Sequence, residues 1–307
     1  MSDILINDRY RVDHKIGEGG YGIVYSGTDL QSNGEAAIKL AYVRDGPYVL
    51  QGEADTYKAL AGGVGILRVL WFGQECDFYV LVQEALGPSL EDLFNYCNRR
   101  FSLKTILLLA DRPLPESNNF LMGVGKQGNI LYTIDFGLAK EHSLAKEHRQ
   151  YEHRFLGGTI RYASIKNHLE QEQSWGDDLE SLGYIFVYLA RGSLPWQGLK
   201  ASTEKEKDDS IKERKMNLSG EALCEGILPG EFATYINYTR SLGFEDKPDY
   251  AYLRRLFRRL FTAKVFKYDN IFDWTEKRFH EIHGTVNPPE HPTPTAPREM
   301  VSAGERR

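Results

Sequence analysis

Gly17-Glu18-Gly19-Gly20-Tyr21-Gly22-Ile23-Val24 fits the pattern G-x-G-x-x-G-x-V, which occurs in more than one kind of phosphate-binding loop. In dinucleotide-binding folds these glycines open a helix. Here Gly22 runs directly into Ile23-Val24-Tyr25, and β-branched and aromatic residues of this kind are typical of a strand. We therefore predict a β-hairpin tip whose backbone N–H groups can approach phosphate oxygens without interference from a Cβ atom. A glycine-rich hairpin that binds nothing fits the motif alone about equally well.

The sequence on either side extends this hairpin into a small β-rich unit. Strands are predicted over five segments: Tyr10–Ile16, Gly22–Thr28, Glu35–Leu40, Ile66–Phe72 and Phe78–Gln83. One helix is expected from Leu50 to Ala61, because apolar residues recur on one of its faces and Gly62-Gly63-Val64-Gly65 follows. Residues 1–86 are therefore predicted to form an N-terminal lobe of five strands and one helix.

From Gly87-Pro88 onward the pattern becomes helical. Ser89 and Ser102 are predicted helix N-caps, and the apolar segment Leu103–Ala110 is expected to form a buried helix. Further helices are predicted over Asp177–Leu189, Lys205–Met216, Glu231–Ser241 and Asp249–Thr262. Residues 87–283 are predicted to form a larger helical lobe. Residues 284–307 carry five of the chain's 12 prolines and are predicted to be a disordered tail. The predicted fold class is α+β with two lobes.

The composition excludes several classes of protein. With 38 basic and 43 acidic side chains, the formal net charge of -5 gives no indication of a nucleic-acid partner. The three cysteines are odd in number and widely spaced, which argues against a disulfide framework or a zinc site and for a reducing compartment. No stretch approaches the ~18 apolar residues of a membrane span, and the N-terminus lacks the features of a secretory signal. We therefore expect a cytoplasmic or nuclear protein.

Three charged residues follow the glycine loop in a meaningful order. Lys39 ends the apolar strand Ala36-Ala37-Ile38, and a lysine in this position needs a charge partner. Glu53, on the inner side of the predicted N-terminal helix, could supply it. Asp135 directly follows another apolar strand, in the sequence Asp-Phe-Gly. A glycine loop, a strand lysine, a helix glutamate and Asp-Phe-Gly occur in the same order in protein kinases.

Longer strings make the resemblance more specific. These strings are Leu86–Phe94, Phe101–Thr105, Phe120–Gly123, Arg161–Ile165, Asp177–Tyr184, Gly192–Lys200 and Lys247–Tyr250. With them, the chain resembles the casein kinase 1 family of serine/threonine protein kinases over about residues 9–283. This resemblance implies a bilobal kinase-like fold in a monomer. It also implies transfer of the ATP γ-phosphoryl group to serine or threonine in acidic or already phosphorylated proteins.

The resemblance also implies roles for individual residues. The ATP-binding residues would be Gly17, Gly19, Gly22, Val24, Ala37, Lys39, Glu53, Gln83, Glu84 and Leu86. Within this set Lys39 would hold the α- and β-phosphates, and Glu53 would orient it. Asn119 and Asp135 would bind Mg²⁺. The contacts to substrate anions would be Lys140, Arg154, Arg161 and Lys207, although exposed surface cations are a common alternative for such residues.

One segment departs from the family. The motif His-Arg-Asp-x-Lys-Pro-x-Asn, whose aspartate accepts the proton of the substrate hydroxyl, is absent. Counting back five positions from Asn119 places Leu114 where that aspartate should be, and counting back three places Glu116 at the position of the phosphate-binding lysine. The preceding apolar helix can extend only to about Asp111, because Pro113 stops it. It would then span only ~14 Å of the about 30 Å needed to cross the large lobe, so roughly fifteen residues are missing by comparison with the family.

This gap changes the expected function. General-base catalysis typically contributes ~10²–10⁴ in rate, and neither Asp111 nor Glu116 is positioned by anything in the sequence to replace the base. The first interpretation is therefore a casein kinase 1-type protein that binds ATP with negligible phosphoryl transfer. The alternatives are a pseudokinase that acts as a scaffold or decoy for phosphopeptides, a splicing or gene-model product of an active kinase gene, and an unstable product without function.

Overall fold

The computed structural model describes residues 4–19, 22–45, 48–112, 120–137, 139 and 160–283. A β-rich N-terminal sheet is followed by a helical C-terminal part, so the predicted α+β class is confirmed. The predicted tail at 284–307 lies outside the described residues.

Six of the described strands form one antiparallel sheet in the order β1-β2-β3-β4-β6-β5. They are β1 (Leu5–Ile6), β2 (Tyr10–Gly19), β3 (Gly22–Asp29), β4 (Gly34–Tyr42), β5 (Val69–Glu75) and β6 (Phe78–Glu84). The prediction of five strands was wrong, because it missed the short strand β1. The predicted segment Ile66–Phe72 also starts too early, because Ile66 forms an isolated parallel bridge with Thr133 instead of joining the sheet.

The strand register separates the sheet into two faces. Lys39 lies opposite Val24 on β3 and Leu81 on β6, while Ala37 lies opposite Gln83 on β6. Because side chains alternate along a strand, these five residues share one face. The other face is a buried apolar cluster of Ile6, Tyr10, Ala36, Ile38, Val80 and Val82. The register therefore collects the predicted nucleotide-facing residues of three strands on a single surface.

Helix α1 (Tyr48–Ala59) covers the face that carries Lys39. Leu50, Ala54 and Tyr57 pack with Leu81 of that face. Tyr132 joins the same cluster from a small antiparallel ribbon of two strands, β7 (Phe120–Met122) and β8 (Leu131–Thr133). The helix is thus held between the sheet and the start of the C-terminal part, which places its polar residues beside Lys39.

The remaining described helices surround one large apolar core. They are α2 (Leu90–Tyr96), α3 (Leu103–Ala110), α4 (Ile165–His168), α5 (Trp175–Arg191), α6 (Glu204–Met216), α7 (Gly220–Cys224), α8 (Gly230–Ser241), α9 (Tyr250–Ala263) and α10 (Asp273–His283). The predicted N-caps are confirmed: Ser89 accepts a hydrogen bond from the Asp92 N–H, and Ser102 accepts one from the Thr105 N–H. Helices α4, α7 and α10 were not predicted.

Helix α3 is as short as the sequence predicts. It has eight residues, and the backbone N–H of Asp111 closes its last turn on the Leu107 carbonyl. Residues 113–119, which include the positions counted for the catalytic base and for Glu116, lie outside the described residues. The short helix is nevertheless firmly packed, since Ile106, Leu107 and Leu109 are almost fully buried in the large core.

The cysteines and the helices of the described part of the chain bear on disulfide bonding and on membrane insertion. Cys76, Cys97 and Cys224 are all free thiols. None of the helices within the described ranges is both long and apolar enough to cross a lipid bilayer.

Candidate functional site

The glycine motif forms the end of the β2–β3 hairpin. Gly19 lies opposite Gly22, and Gly17 lies opposite Val24, so the stretch continues into strands on both sides rather than opening a helix. The three glycines are not equivalent. Gly22 has φ +134°, and a Cβ atom there would lie 2.3 Å from the Leu40 carbonyl oxygen, whereas a Cβ at Gly19 would meet nothing within 4 Å. Only Gly22 is thus required by the fold itself.

Lys39 is the centre of the site. Its Nζ lies 2.7 Å from Glu53 Oε2 and 3.2 Å from Asp135 Oδ1. The residue is 9% exposed and Glu53 is 1% exposed. Burial acts to lower the pKa of Lys39, but the attraction of Glu53 and then of Asp135 outweighs it, so the pKa is raised. The ammonium group is therefore charged at neutral pH, and it joins the sheet, α1 and the chain after β8.

Asp135 is held in place by α1 as well as by Lys39. Its backbone N–H donates to the Tyr57 hydroxyl at 3.0 Å, and the ring of Phe136 meets the Tyr57 ring edge-on at 5.0 Å. Asp135 has φ +65°, a conformation that non-glycine residues adopt only occasionally. Its Oδ1 also accepts a hydrogen bond from the Gly137 N–H at 3.3 Å. Sequence order predicted the aspartate, but nothing in the sequence singled out Tyr57 as its support.

Gln83, Glu84 and Leu86, three of the predicted ATP-binding residues, have different surroundings. Glu84 accepts a hydrogen bond from the Arg68 N–H at 2.8 Å, which ties β6 to the start of β5. Leu86 packs against the apolar cluster under α1. Gln83 is 9% exposed, and its buried amide Nε2 lies near the Tyr57 hydroxyl but makes no close hydrogen bond within the described part of the chain. Such a buried amide donor is normally satisfied, so Gln83 is the unusual residue of the three.

The residues expected to contact substrate anions are only partly described. Lys140, Arg154 and the Mg²⁺ candidate Asn119 lie outside the described residues, as does Leu114. Arg161 stacks over the rings of Tyr162 and Tyr188, with its guanidinium carbon 5.6 and 5.7 Å from their centres. Lys207 lies on α6, where its Nζ is 3.3 Å from Glu204. The two described cations therefore make separate contacts, and a joint anion site remains a prediction.

A buried lysine fixes the segment that carries Arg161, and sequence reasoning missed it. Lys215 on α6 is fully buried, and its Nζ donates to the carbonyl oxygens of Ile160 at 2.9 Å and Ala163 at 2.6 Å. It also lies 3.0 Å from Nε2 of His168 at the end of α4. Burial lowers the pKa of Lys215 to about 7. Lys215 belongs to a charged stretch that reads as an exposed helix face, so no local signal marks it.

We expect the stability of the chain to fall as the pH is lowered from about 6.5 to 4, with His168 contributing part of this loss. Burial, and then the charge of Lys215, lower the pKa of His168 from 6.5 to about 4. The unfolded chain therefore binds more protons than the folded one in this range, which removes up to about 3 kcal/mol of the free energy of unfolding.

Urea unfolding of the wild type and the His168→Gln variant across this pH range measures the effect. Glutamine keeps an acceptor for Lys215 but does not titrate. The pH dependence should therefore be weaker in the variant. Identical slopes for both proteins would contradict the assignment.

Asp111 is one of the two carboxylates nearest the missing catalytic segment, and it forms an ion pair with another helix. Its Oδ1 lies 2.6 Å from Nε of Arg258 on α9. This ion pair closes the end of α3 against α9, and it assigns Asp111 a role in packing the two helices. Glu116, the other carboxylate, lies outside the described residues.

The described residues thus define an α+β protein in which a buried lysine lies between two carboxylates, on the sheet face next to a glycine hairpin. Within the described ranges, no group of three or more His, Cys, Asp or Glu side chains is arranged to hold a metal ion by itself. No protein-family model matches the chain.

Proposed function

We propose that this chain has a bilobal protein-kinase-like fold of the casein kinase 1 type, binds ATP with Mg²⁺, and transfers phosphoryl groups at a negligible rate. The observation that carries the proposal is the contact of Lys39 Nζ with both Glu53, at 2.7 Å, and Asp135, at 3.2 Å. One fully buried carboxylate fixes this cation in position, while the other is accessible to solvent. A cation held in this way is suited to bind a phosphate group. The same cation also lies next to a possible Mg²⁺ ligand.

The residues present fit a nucleotide. The open backbone at Gly19 leaves room for a phosphate group beside the hairpin, and the polar side chain of Gln83 lies on the same sheet face as Lys39. Asp135 is the only described carboxylate proposed for Mg²⁺, and its side chain is 32% exposed. One carboxylate is enough, because Mg²⁺ usually completes its coordination with phosphate oxygens and water.

Each residue has a defined part in the proposed complex. Lys39 would donate to the α- and β-phosphate oxygens, and Glu53 would keep the ammonium group aimed at them. Asp135 would hold Mg²⁺, which neutralises part of the phosphate charge when it is bound. Val24, Ala37 and Leu86 would contribute apolar contacts to the base. Acidic or phosphorylated proteins are the proposed partners, with Arg161 and Lys207 as described candidates for their anionic groups.

The weakness of transfer follows from the missing proton acceptor. His-Arg-Asp is absent from the sequence, and Asp111 is paired with Arg258. A nucleotide can still be held by Lys39 and Asp135, because neither depends on that segment. Loss of a general base alone lowers the rate by ~10²–10⁴. ATP binding without transfer is also the behaviour expected of a scaffold or decoy.

A thermal-shift measurement with ATP and Mg²⁺ tests the binding half of this proposal. At a concentration of about 100 times its Kd, the nucleotide should raise the free energy of unfolding by ~2.7 kcal/mol. The Lys39→Ala variant should lose this shift, while Lys58→Ala, an exposed lysine on α1, should keep it. An absence of any shift in the wild type would contradict nucleotide binding.

Casein phosphorylation tests the other half. Ordinary kinases turn over at ~1–100 s⁻¹, and we expect this chain to be at least ~10²-fold slower. A rate within the ordinary range that is lost in Lys39→Ala would overturn the proposal of negligible transfer. The variant also excludes a contaminating kinase, whose activity would not depend on Lys39.

A further inference from the structure

The exposed side of α9 is strongly basic. Arg254, Arg255, Arg258 and Arg259 are all exposed, and Lys264 and Lys267 follow just beyond the end of the helix. Residues four apart on a helix lie on the same side, so the four arginines form two adjacent rows. These six residues are called the basic face below. Its positive charge contrasts with the formal net charge of -5 for the chain as a whole.

Most of this charge is not neutralised within the described part of the chain. Arg258 is paired with Asp111, and Arg255 lies 3.8 Å from Asp249. In the described ranges no carboxylate lies within ion-pair distance of the other four cations of the basic face, which are Arg254, Arg259, Lys264 and Lys267. The acidic residues Glu245, Asp246 and Asp249 lie at the start of α9. Near the end of the helix, Asp111 is paired with Arg258 and Asp269 with Lys104, so neither carboxylate neutralises these four cations.

Two exposed uncharged side chains, Val265 and Tyr268, lie near these cations. Val265, between Lys264 and Lys267 in the sequence, is 84% exposed and has φ +56°. A β-branched residue in the left-handed region is strained, and such strain is a reason to look for function. Tyr268 is 54% exposed and stacks on Phe261 at 4.1 Å. Burial raises the pKa of Tyr268, the nearby Asp111 carboxylate adds to this rise, and the charge of Arg258 opposes it, so Tyr268 lies beside the Asp111–Arg258 ion pair.

We propose that the basic face, with Val265 and Tyr268, is a docking surface for membranes that contain anionic lipids. Cations alone would suit any polyanion, including an acidic peptide or a nucleic acid. An exposed valine and an exposed tyrosine among cations distinguish a lipid interface, where apolar side chains enter the headgroup region and tyrosine is favoured. Each lysine or arginine near such a surface strengthens binding about fivefold. This surface is independent of the proposed nucleotide site.

Flotation with lipid vesicles tests the proposal on the full chain. The protein should bind vesicles of phosphatidylcholine with one quarter phosphatidylserine, should not bind pure phosphatidylcholine, and should be released by salt. The Arg254→Gln/Arg259→Gln variant should bind ~30-fold more weakly, since it loses two cations that have no ion-pair partner among the described residues. The matched control is Lys58→Gln/Lys205→Gln, which loses the same charge on α1 and α6 and should bind like the wild type.

A third variant separates the apolar contribution from the charge. Val265→Asn removes the apolar side chain, and asparagine tolerates the left-handed conformation, so the fold should not suffer. Its binding to the mixed vesicles should fall several-fold at unchanged charge. Equal binding of the wild type and the arginine variant would overturn the proposal. So would an arginine-dependent interaction with polyglutamate or RNA in the absence of vesicle binding, because the surface would then serve another class of partner.

Discussion

Replacing Lys39 with methionine is expected to lower the free energy of unfolding by about 3–5 kcal/mol, one of the largest effects of any single substitution in this chain. Methionine retains most of the volume but removes the charge, which leaves the Glu53 carboxylate buried at 1% exposure without its cation. Asp135 loses the same partner but is accessible to water, so it should contribute less. Urea unfolding at neutral pH measures the loss.

The Lys39→Met/Glu53→Gln double variant is the decisive comparison. Removing the charge of Glu53 as well relieves the penalty, so the double variant should be more stable than Lys39→Met alone. Neither variant should show the ATP-dependent thermal shift, because both lack the ammonium group. The double variant should therefore regain stability without regaining nucleotide binding. A Lys39→Met protein as stable as the wild type would mean that the buried pair in the site is not ionised.

The pair itself could be predicted from the sequence because each half carries a local signal. A lysine at the end of an apolar strand needs a partner, and Glu53 lies on the inner side of the helix that covers that strand. The alternation of side chains likewise places Ala37 and Lys39 on one face, whereas the pairing that adds Val24 and Gln83 is seen only in the structure. The β-rich part was thus largely predictable, except for β1, whose two residues are too few to show a period.

The contacts that position the site could not be predicted, because they join residues far apart in the chain. The support of Asp135 by Tyr57 crosses 78 positions, and tyrosine on a helix face reads as ordinary core. Lys215 is equally hidden in a polar helix, and its carbonyl partners lie more than 50 positions away. Helix α10 was missed for a related reason: none of its residues is buried, and Asp273 at its start accepts hydrogen bonds from Ser102 in a distant segment.

The second large expected effect is a loss of stability on substitution in the glycine hairpin. It differs between Gly22 and Gly19, which the sequence motif alone does not distinguish. Gly22→Ala should lower the free energy of unfolding by about 2–4 kcal/mol, because its Cβ would meet the Leu40 carbonyl oxygen at 2.3 Å in a backbone conformation of φ +134°. Gly19→Ala should change it by no more than about 0.5 kcal/mol, since the space around Gly19 is open. Urea unfolding of both variants measures the difference.

Gly19→Ala, the variant with little effect on stability, should nevertheless weaken ATP binding if the hairpin covers a phosphate group. Gly19→Ala leaves the fold intact but places a methyl group where a phosphate oxygen would approach the backbone, so the ATP-dependent thermal shift should shrink. Two glycines of one motif then have separate reasons to be glycine: Gly22 for the packing of β3 against β4, and Gly19 for the ligand. A Gly19→Ala protein with the wild-type shift would remove the hairpin from the proposed nucleotide site. The Lys39 contacts with Glu53 and Asp135 would then have to account for nucleotide binding without it.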